Sequence, residues 1–372
     1  MKMALMSIID LKPGAKLGKD VQTPLGGLLL PKGKVILPRD LDILRAFLVQ
    51  TVDINSNQIK QSNSSSAQDS KKQEIEKQKE EEAQFEQIVR LADMTSFDEE
   101  YDKMIILVKK AFNEAGTFEI PIFELRTQLA ILILHIKKYQ VLYFAPSSIK
   151  KEDYMFHNAV LTALTSYLLA QWCKLPSKDW VQVALAGLLH NIGNSKIDRS
   201  LLMSPNLLSD LEEDEVRRHT TYGYNILKQA KAINDGVKLA ALQHHEKIDG
   251  SGYPLKLAGE QIHIYARIVA VADIFHAMTL DKPYKGSQSP YLVLEQILLE
   301  SFGKLDPRIV QIFIRKSTQF HNGTIVCLSD GRIGEIIFTD RDHPIRPMVS
   351  VDGSIVNLVA QRQLYIKEVM KK

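Results

Sequence analysis

Five histidines stand out in one stretch of this sequence: His157, His190, His219, His244 and His245. A neutral imidazole offers a lone pair to a metal ion, and several converging imidazoles make a metal site. A lone helical histidine is more often a core residue, so context decides. His190 follows an apolar run at 181–189, where a polar ring needs a partner. His244 and His245 are adjacent, so on a helix they point about 100° apart and can both face one cleft. Asp273 lies inside Val269-Ala-Val-Ala-Asp-Ile-Phe275. A carboxylate in so apolar a helix is costly unless a buried Arg or His pairs with it or a cation binds it. Imidazoles with a carboxylate suit iron, manganese, zinc or nickel better than calcium. Such ions activate water for attack on phosphorus. No nucleophilic Ser or Cys motif of comparable quality appears, and no Walker-type glycine loop. Reading the histidines as an inert core leaves Asp273 and the His244–His245 pair without a reason.

The elements that must position these side chains are mostly helical. Residues 83–320 carry helix-length apolar patterns, including runs at 104–108 and 129–136. The run at 181–189 is apolar nearly all round, which predicts a buried central helix. Ser209-Asp-Leu-Glu212 is a capping box and predicts the start of a helix that carries His219. Residues 264–278 predict another helix. Ahead of this body, residues 1–57 are rich in turn signals such as Pro13-Gly14 and Gly26-Gly27, which predicts a small β-containing module with a helix at 39–49. Residues 58–82 join the two, as a Ser-, Asn- and Gln-rich linker at 61–70 and a charged helical spacer at 71–82.

After residue 320 the period changes. Apolar runs at 324–328 and 333–338 are joined through Ser329-Asp330-Gly331, and runs at 348–351 and 355–358 through Asp352-Gly353. Asp-Gly between such runs predicts hairpins, hence a small β-rich module at 321–372. The fold class is mainly α, with a helical domain flanked by small β-containing modules.

Composition narrows the function classes. The chain has 372 residues, is 45% hydrophobic and carries a net charge of +3, too even a balance to argue for a nucleic-acid polymer as partner. Cys173 and Cys327 are the only cysteines, too few for a disulfide framework and not spaced as metal ligands. Neither the first ten residues nor the run at 129–136 is long enough for a signal peptide or a membrane span. A cytoplasmic protein is the expectation.

Several segments together resemble one family. His244-His-Glu-Lys-Ile-Asp-Gly-Ser-Gly-Tyr-Pro254 resembles the signature of HD-GYP domains. Leu188-Leu-His-Asn-Ile-Gly193 resembles their HD motif, and His219-Thr-Thr-Tyr-Gly223 their His-x-x-x-Gly element. Arg267-Ile-Val-Ala-Val-Ala-Asp-Ile-Phe275 resembles their late Asp helix, and Lys282-Pro-Tyr-Lys285 the basic segment after it. The segments occur in family order from about 153 to 307. The resemblance implies a helical phosphodiesterase that hydrolyses cyclic di-GMP or a related cyclic dinucleotide with one to three divalent metal ions, iron or manganese first. By position it implies metal ligands at His157, His190, Asn191, His219, His244, His245 and Asp273, with Asp153 as an added acidic ligand. It implies substrate contacts at Gly252, Tyr253, Pro254, Lys282 and Lys285. A small β-containing module ahead of such a domain fits the pattern, and a homodimer or a signalling partner is compatible with it.

Three positions depart from the family. Position 191 is Asn where the resemblance implies a metal-bridging Asp. An amide oxygen is uncharged and holds two cations together poorly, which predicts a weaker or mononuclear site. Position 194 is Asn in place of a Lys, with Lys196 as a candidate catalytic substitute two residues on. His276, three residues after Asp273, is a replacement ligand or, better, a partner of Asp273. Two readings stand: a phosphodiesterase with an altered metal site, slightly favoured, and a catalytically degenerate cyclic di-GMP sensor or protein-interaction module. A general nucleotidase of the wider HD superfamily fits the GYP segment less well.

Overall fold

The computed structural model describes residues 3–7, 11, 14–22, 28–37, 40, 51–55, 92, 94–116, 119–144, 146, 150–230, 233–282, 286–318 and 322–370. The linker expected at 61–70, the spacer at 71–82 and all of the expected 39–49 helix but Asp40 lie outside these residues. The chain divides into two units, Met1–Phe85 and Glu86–Lys372.

In the first unit, β1 (Met3–Ser7), β2 (Val21–Gln22), β3 (Leu28–Leu30) and β4 (Thr51–Asn55) form two antiparallel pairs, β1 with β4 and β2 with β3. Alternate residues of these short strands turn inward. Leu17, Val21, Leu30, Ile36, Val52 and Ile54 form the core they share.

The second unit opens with α1 (Phe97–Glu114), started by a reciprocal Ser96–Glu99 capping box, and α2 (Ile122–Leu134). Next come α3 (Tyr154–Trp172) and α4 (Ser177–Leu189), whose residues 183–189 are all buried, as the apolar run predicts. α4 lies tight on α3 at Gly187. A Cβ there would sit 2.9 Å from both Ser166 Oγ and the Thr162 carbonyl. Then follow α5 (Arg199–Leu202), α6 (Asp210–Arg217), α7 (His219–Lys228), α8 (Asp235–Gln243) and α9 (Ile264–Thr279). The capping box Ser209–Glu212 starts α6 as expected, but that helix does not carry His219. The Arg218 amide bonds to the Glu215 carbonyl, a tightened last turn that ends α6, and His219 opens α7.

Two further helices, α10 (Pro290–Glu300) and α11 (Pro307–Ser317), complete the helical body. Asp306 caps α11 and pairs with Arg267 of α9 at 2.9 Å. The chain ends in an antiparallel sheet of β5 (Ile325–Leu328), β6 (Ile333–Phe338), β7 (Met348–Val351), β8 (Ser354–Asn357) and β9 (Ile366–Val369), in the order β8-β7-β6-β5-β9. The β7–β8 hairpin turns on Asp352 and Gly353, both at positive φ, the conformation that Asp-Gly favours. Strand β9 has no counterpart in the sequence reading; its apolar content is slight. The last helix ends at Ser317 and the sheet begins at Ile325, while the buried core runs on from the helices into the sheet. Arg346 of the sheet region pairs with Glu295 of α10 at 2.7 Å.

The Gly187 contact gives a stability prediction. Gly187→Val should cost about 1–3 kcal/mol, because the backbone carbonyl of Thr162 cannot move aside for a side chain. Denaturant unfolding followed by helix signal measures it, and an unchanged midpoint would contradict the close α3–α4 packing.

Candidate metal centre

Helix ends bring the imidazoles together. His190 follows the last residue of α4, His244 follows α8, and His219 stands two residues beyond the end of α6. Each ring donates its Nδ1–H to a carbonyl in the last turn of that helix. His190 reaches Gly187 at 2.7 Å, His219 reaches Val216 at 2.7 Å and His244 reaches Ala241 at 3.0 Å. A carbonyl can only accept, so each neutral ring keeps its lone pair on Nε2.

Glycines let the helix ends approach. Gly193 lies in the 3₁₀ turn Ile192–Lys196 that follows His190. A Cβ at Gly193 would overlap the carbonyl of His219, and one at Gly223 would press on the Gly193 amide. These contacts explain why glycines accompany both His190 and His219 in the sequence.

His219, His244 and His245 converge, with one ring nitrogen of each inside a sphere where all lie within 4.8 Å of one another. His219 Nε2 and His244 Nε2 are 3.2 Å apart. With both Nδ1 atoms donating, two lone pairs face each other there, an arrangement that a cation between them relieves. Burial lowers the His219 pKa to about 4. Burial, then the neighbouring rings, holds His244 well below the ordinary range, and burial with the nearby His219 and Lys247 does the same for His245. All three rings are therefore neutral near pH 7, the form that binds metal. The residues present fit a divalent ion.

Beside this trio, His190 Nε2 lies 3.2 Å from Asp273 Oδ1 and accepts a hydrogen bond from Asn191 Nδ2 at 2.8 Å. Burial works to raise the Asp273 pKa, but the His190 and His244 imidazoles outweigh it and leave the carboxyl below its ordinary range. The apolar helix thus carries Asp273 up to His190, where its carboxylate oxygen faces the Nε2 lone pair, an approach that a cation or a ring proton relieves.

The remaining sequence candidates are spread more widely. His157 meets Tyr101, with Nδ1 at 2.9 Å from the phenol oxygen. Asp153 accepts from Lys109 at 2.6 Å, so its charge is already matched. His276 sets its Nε2 2.7 Å from Thr165 Oγ1 and 3.3 Å from the Tyr139 oxygen, and the Asp273 carboxylate acts on the ring through charge. Lys196 is exposed and its side chain lies over Gly116 at the end of α1. Lys282 sets its ammonium over the Tyr154 ring at 5.1 Å. Lys285 lies outside the described residues.

The GYP segment forms the wall next to His245. Tyr253 stacks on the His245 ring at 4.8 Å, and the Arg217 guanidinium covers Tyr253 at 5.3 Å. Gly252 is obligatory, since a Cβ would overlap the Glu246 backbone. Glu246 is buried and accepts from the amides of Leu255 and Leu257, the latter at 3.0 Å. Its carboxylate therefore holds the loop that carries Pro254. A cavity of about 410 Å³ opens from His245 and Tyr253, with Arg217, Lys247, Lys304 and Glu300 on its walls. Sequence reasoning missed Glu246 and these cations. Glu246 stood inside the signature segment, where a buried carboxylate between two apolar helices was a usable signal; Lys304 and Arg217 had none.

Comparison with known proteins agrees with this architecture. Residues 147–309 match the HD domain family. A cyclic di-GMP phosphodiesterase of Pseudomonas aeruginosa is 33% identical over 200 residues, 54% of this chain and 48% of that protein. The cyclic di-GMP phosphodiesterase response regulator RpfG of Xanthomonas campestris is 37% identical over 154 residues, 41% of this chain and 40% of that one. A 3'3'-cGAMP-specific phosphodiesterase of Vibrio cholerae is 32% identical over 176 residues, 47% and 41%. The chain thus spans less than half the length of these relatives. Among solved structures, an HDG"Y"P protein of Bdellovibrio bacteriovorus shares the fold, with a TM-score of 0.50 at 15% identity over 84% of this chain and 98% of that one. Residues 147–309 are thus similar to HD domains, and the His244–Pro254 segment within them resembles the HD-GYP type, with the variant His190-Asn191 pair. Among the described residues, no helix is long and apolar enough to cross a membrane.

Two predictions follow from the burial of this region. His219 at about 4 and His276 at about 3 both have folded pKa values below that of an unfolded histidine. Their contribution is therefore complete above about pH 6.5 and is lost as pH falls, with a slope up to ~1.4 kcal/mol per pH unit for each group. Urea unfolding of metal-free protein between neutral and acid pH measures this. A His276→Gln variant should flatten the slope, and an equally steep one would show that His276 does not contribute. Separately, Glu246→Ala should cost about 1–3 kcal/mol by removing the buried carboxylate that pairs the Leu255 and Leu257 amides. Hydrogen exchange should speed up at the Leu255 and Leu257 amides and stay unchanged in α3.

Proposed function

We propose that this chain is a metal-dependent phosphodiesterase acting on cyclic di-GMP or a related cyclic dinucleotide. The observation that carries the reading is the convergence of His219, His244 and His245 beside a cavity whose walls carry Arg217, Lys247 and Lys304. The trio would hold one ion. His190 and Asp273 would hold a second nearby, with His157 and Asp153 further round the site. An N/O set of this kind is one that iron and manganese accept. A bound divalent ion would supply Lewis acidity toward a phosphoryl oxygen.

The chain's own groups have distinct tasks in this reading. The carbonyls of Gly187, Val216 and Ala241 fix which ring nitrogen each histidine presents. Tyr253 and Gly252 form the wall on which the ligand lies, and Pro254 ends it. Lys282 and Lys285 remain candidates for phosphate contact. The relatives named above act on two kinds of cyclic dinucleotide, so either kind is a fitting substrate class.

One observation favours a second reading, ligand binding without turnover. The Asn191 amide donates to His190 Nε2, so the residue in the bridging position brings a proton to the lone pair a metal would use. It also brings no charge to hold two cations close.

Metal analysis of purified protein, with chromatography of products from cyclic di-GMP, tests both readings. His244→Ala should abolish metal retention while the fold survives. Asn191→Asp should raise metal occupancy and turnover by roughly 10–100-fold, the range over which changes in a ligand sphere act. Metal and tight cyclic di-GMP binding without product would favour the sensor. No metal in either protein would overturn the metallohydrolase reading.

A further inference from the structure

The cavity beside His245 is more cationic than one phosphate at the imidazole cluster requires. Of its charged walls, Glu300 is held by Lys304 at 3.0 Å, and Arg217 is engaged by Glu213 at 2.7 Å and by the Tyr253 ring. Lys247 differs. It is half-buried, and no hydrogen bond or ion pair to its ammonium occurs among the described residues. Its backbone is pinned, because its carbonyl accepts from the Gly250 amide at 2.9 Å and Gly252 packs on its amide. Glu300 and Asp273 act on this ammonium only through charge and not by direct contact, and an ammonium partly removed from water without a direct partner is costly by itself. An anion entering the cavity offsets that cost.

A cyclic dinucleotide carries two phosphodiester anions on opposite sides of its ring. Only one can lie at the imidazole cluster. The other must reach a cation elsewhere or remain a desolvated charge. We propose that Lys247, with Arg217 and Lys304 adding to the local field, holds the second phosphate of a two-phosphate ligand and so selects such ligands over single phosphodiesters. This rests on the phosphodiesterase reading and adds the residue that sets its substrate class. Lys247 is a positioning and specificity residue here, because it meets the phosphate that does not react.

The test uses the full chain with its metal content measured in every variant. Calorimetry compares cyclic di-GMP, with two phosphodiesters, against the linear dinucleoside monophosphate GpG, with one. Lys247→Met should weaken cyclic di-GMP binding about tenfold or more and leave GpG within about twofold, the size expected for one charge-assisted contact. Lys247→Arg should restore most of the affinity. The salt dependence of cyclic di-GMP binding should also become shallower in Lys247→Met. Equal losses for both ligands, or no loss for either, would overturn this assignment alone. Failure of the wild-type chain to bind any cyclic dinucleotide would instead overturn the phosphodiesterase reading beneath it.

Discussion

The centre depends on one recurring contact, an imidazole N–H donated to a carbonyl in the last turn of the helix before it. It occurs at His190, His219 and His244. A helix ends with carbonyls that lack intrahelical donors, and a histidine just past the end supplies one. The same bond decides the tautomer, so the lone pair points away from the helix. The negative end of the helix dipole would favour a charged ring. Burial opposes it and prevails, as the His219 pKa of about 4 shows. Three helices thus each deliver one oriented ring nitrogen, and the rest of the domain has to bring their ends to one place.

Close packing at glycine does that work, and it explains what was legible in the sequence. The His–x–x–x–Gly spacing and the glycine after His190 mark an intimate contact between α7 and the 3₁₀ turn, so their spacing carried structural information. The apolar run at 181–189 and the Asp-Gly hairpin signal are local patterns, and they translated directly into α4 and the β7–β8 turn. Roles that depend on side-chain direction were not local. Lys196 lies two residues from the position it was to replace, yet its chain runs to Gly116. His276 shares a face with Asp273 by spacing alone, but Thr165 and Tyr139 offer it a buried hydrogen-bonding site. Helical periodicity cannot see that competition. Arg217 and Lys304 were invisible for the same reason, since only tertiary folding sets them around one cavity.

The Asn191 substitution acts on geometry as well as charge. A carboxylate at that position would meet the His190 lone pair as another acceptor, and a cation would be needed between them. The amide instead donates to it directly. The His190 side of the centre is thereby satisfied within the protein, apart from its approach to Asp273. The trio of His219, His244 and His245 has no such internal remedy, because Nε2 of His219 faces Nε2 of His244. The demand for a cation is consequently asymmetric, strongest on the side that Asn191 does not reach.

That asymmetry bears on how the cavity and the centre cooperate. An ion at the trio and the ammonium of Lys247 are like charges on either side of His245, and each disfavours the other when the cavity is empty. The influence already shows at the ring itself, where the Lys247 charge helps hold His245 neutral. A ligand with two phosphates places one anion against each positive centre and removes their mutual repulsion. A ligand with one phosphate neutralises one centre and leaves the other exposed to it. Metal and two-phosphate ligand are therefore coupled through electrostatics in the reading proposed here, each raising the affinity for the other by the same factor. Such coupling needs no conformational change, only a rigid wall. Glu246 and Gly252 supply it by fixing the loop on which Lys247 stands.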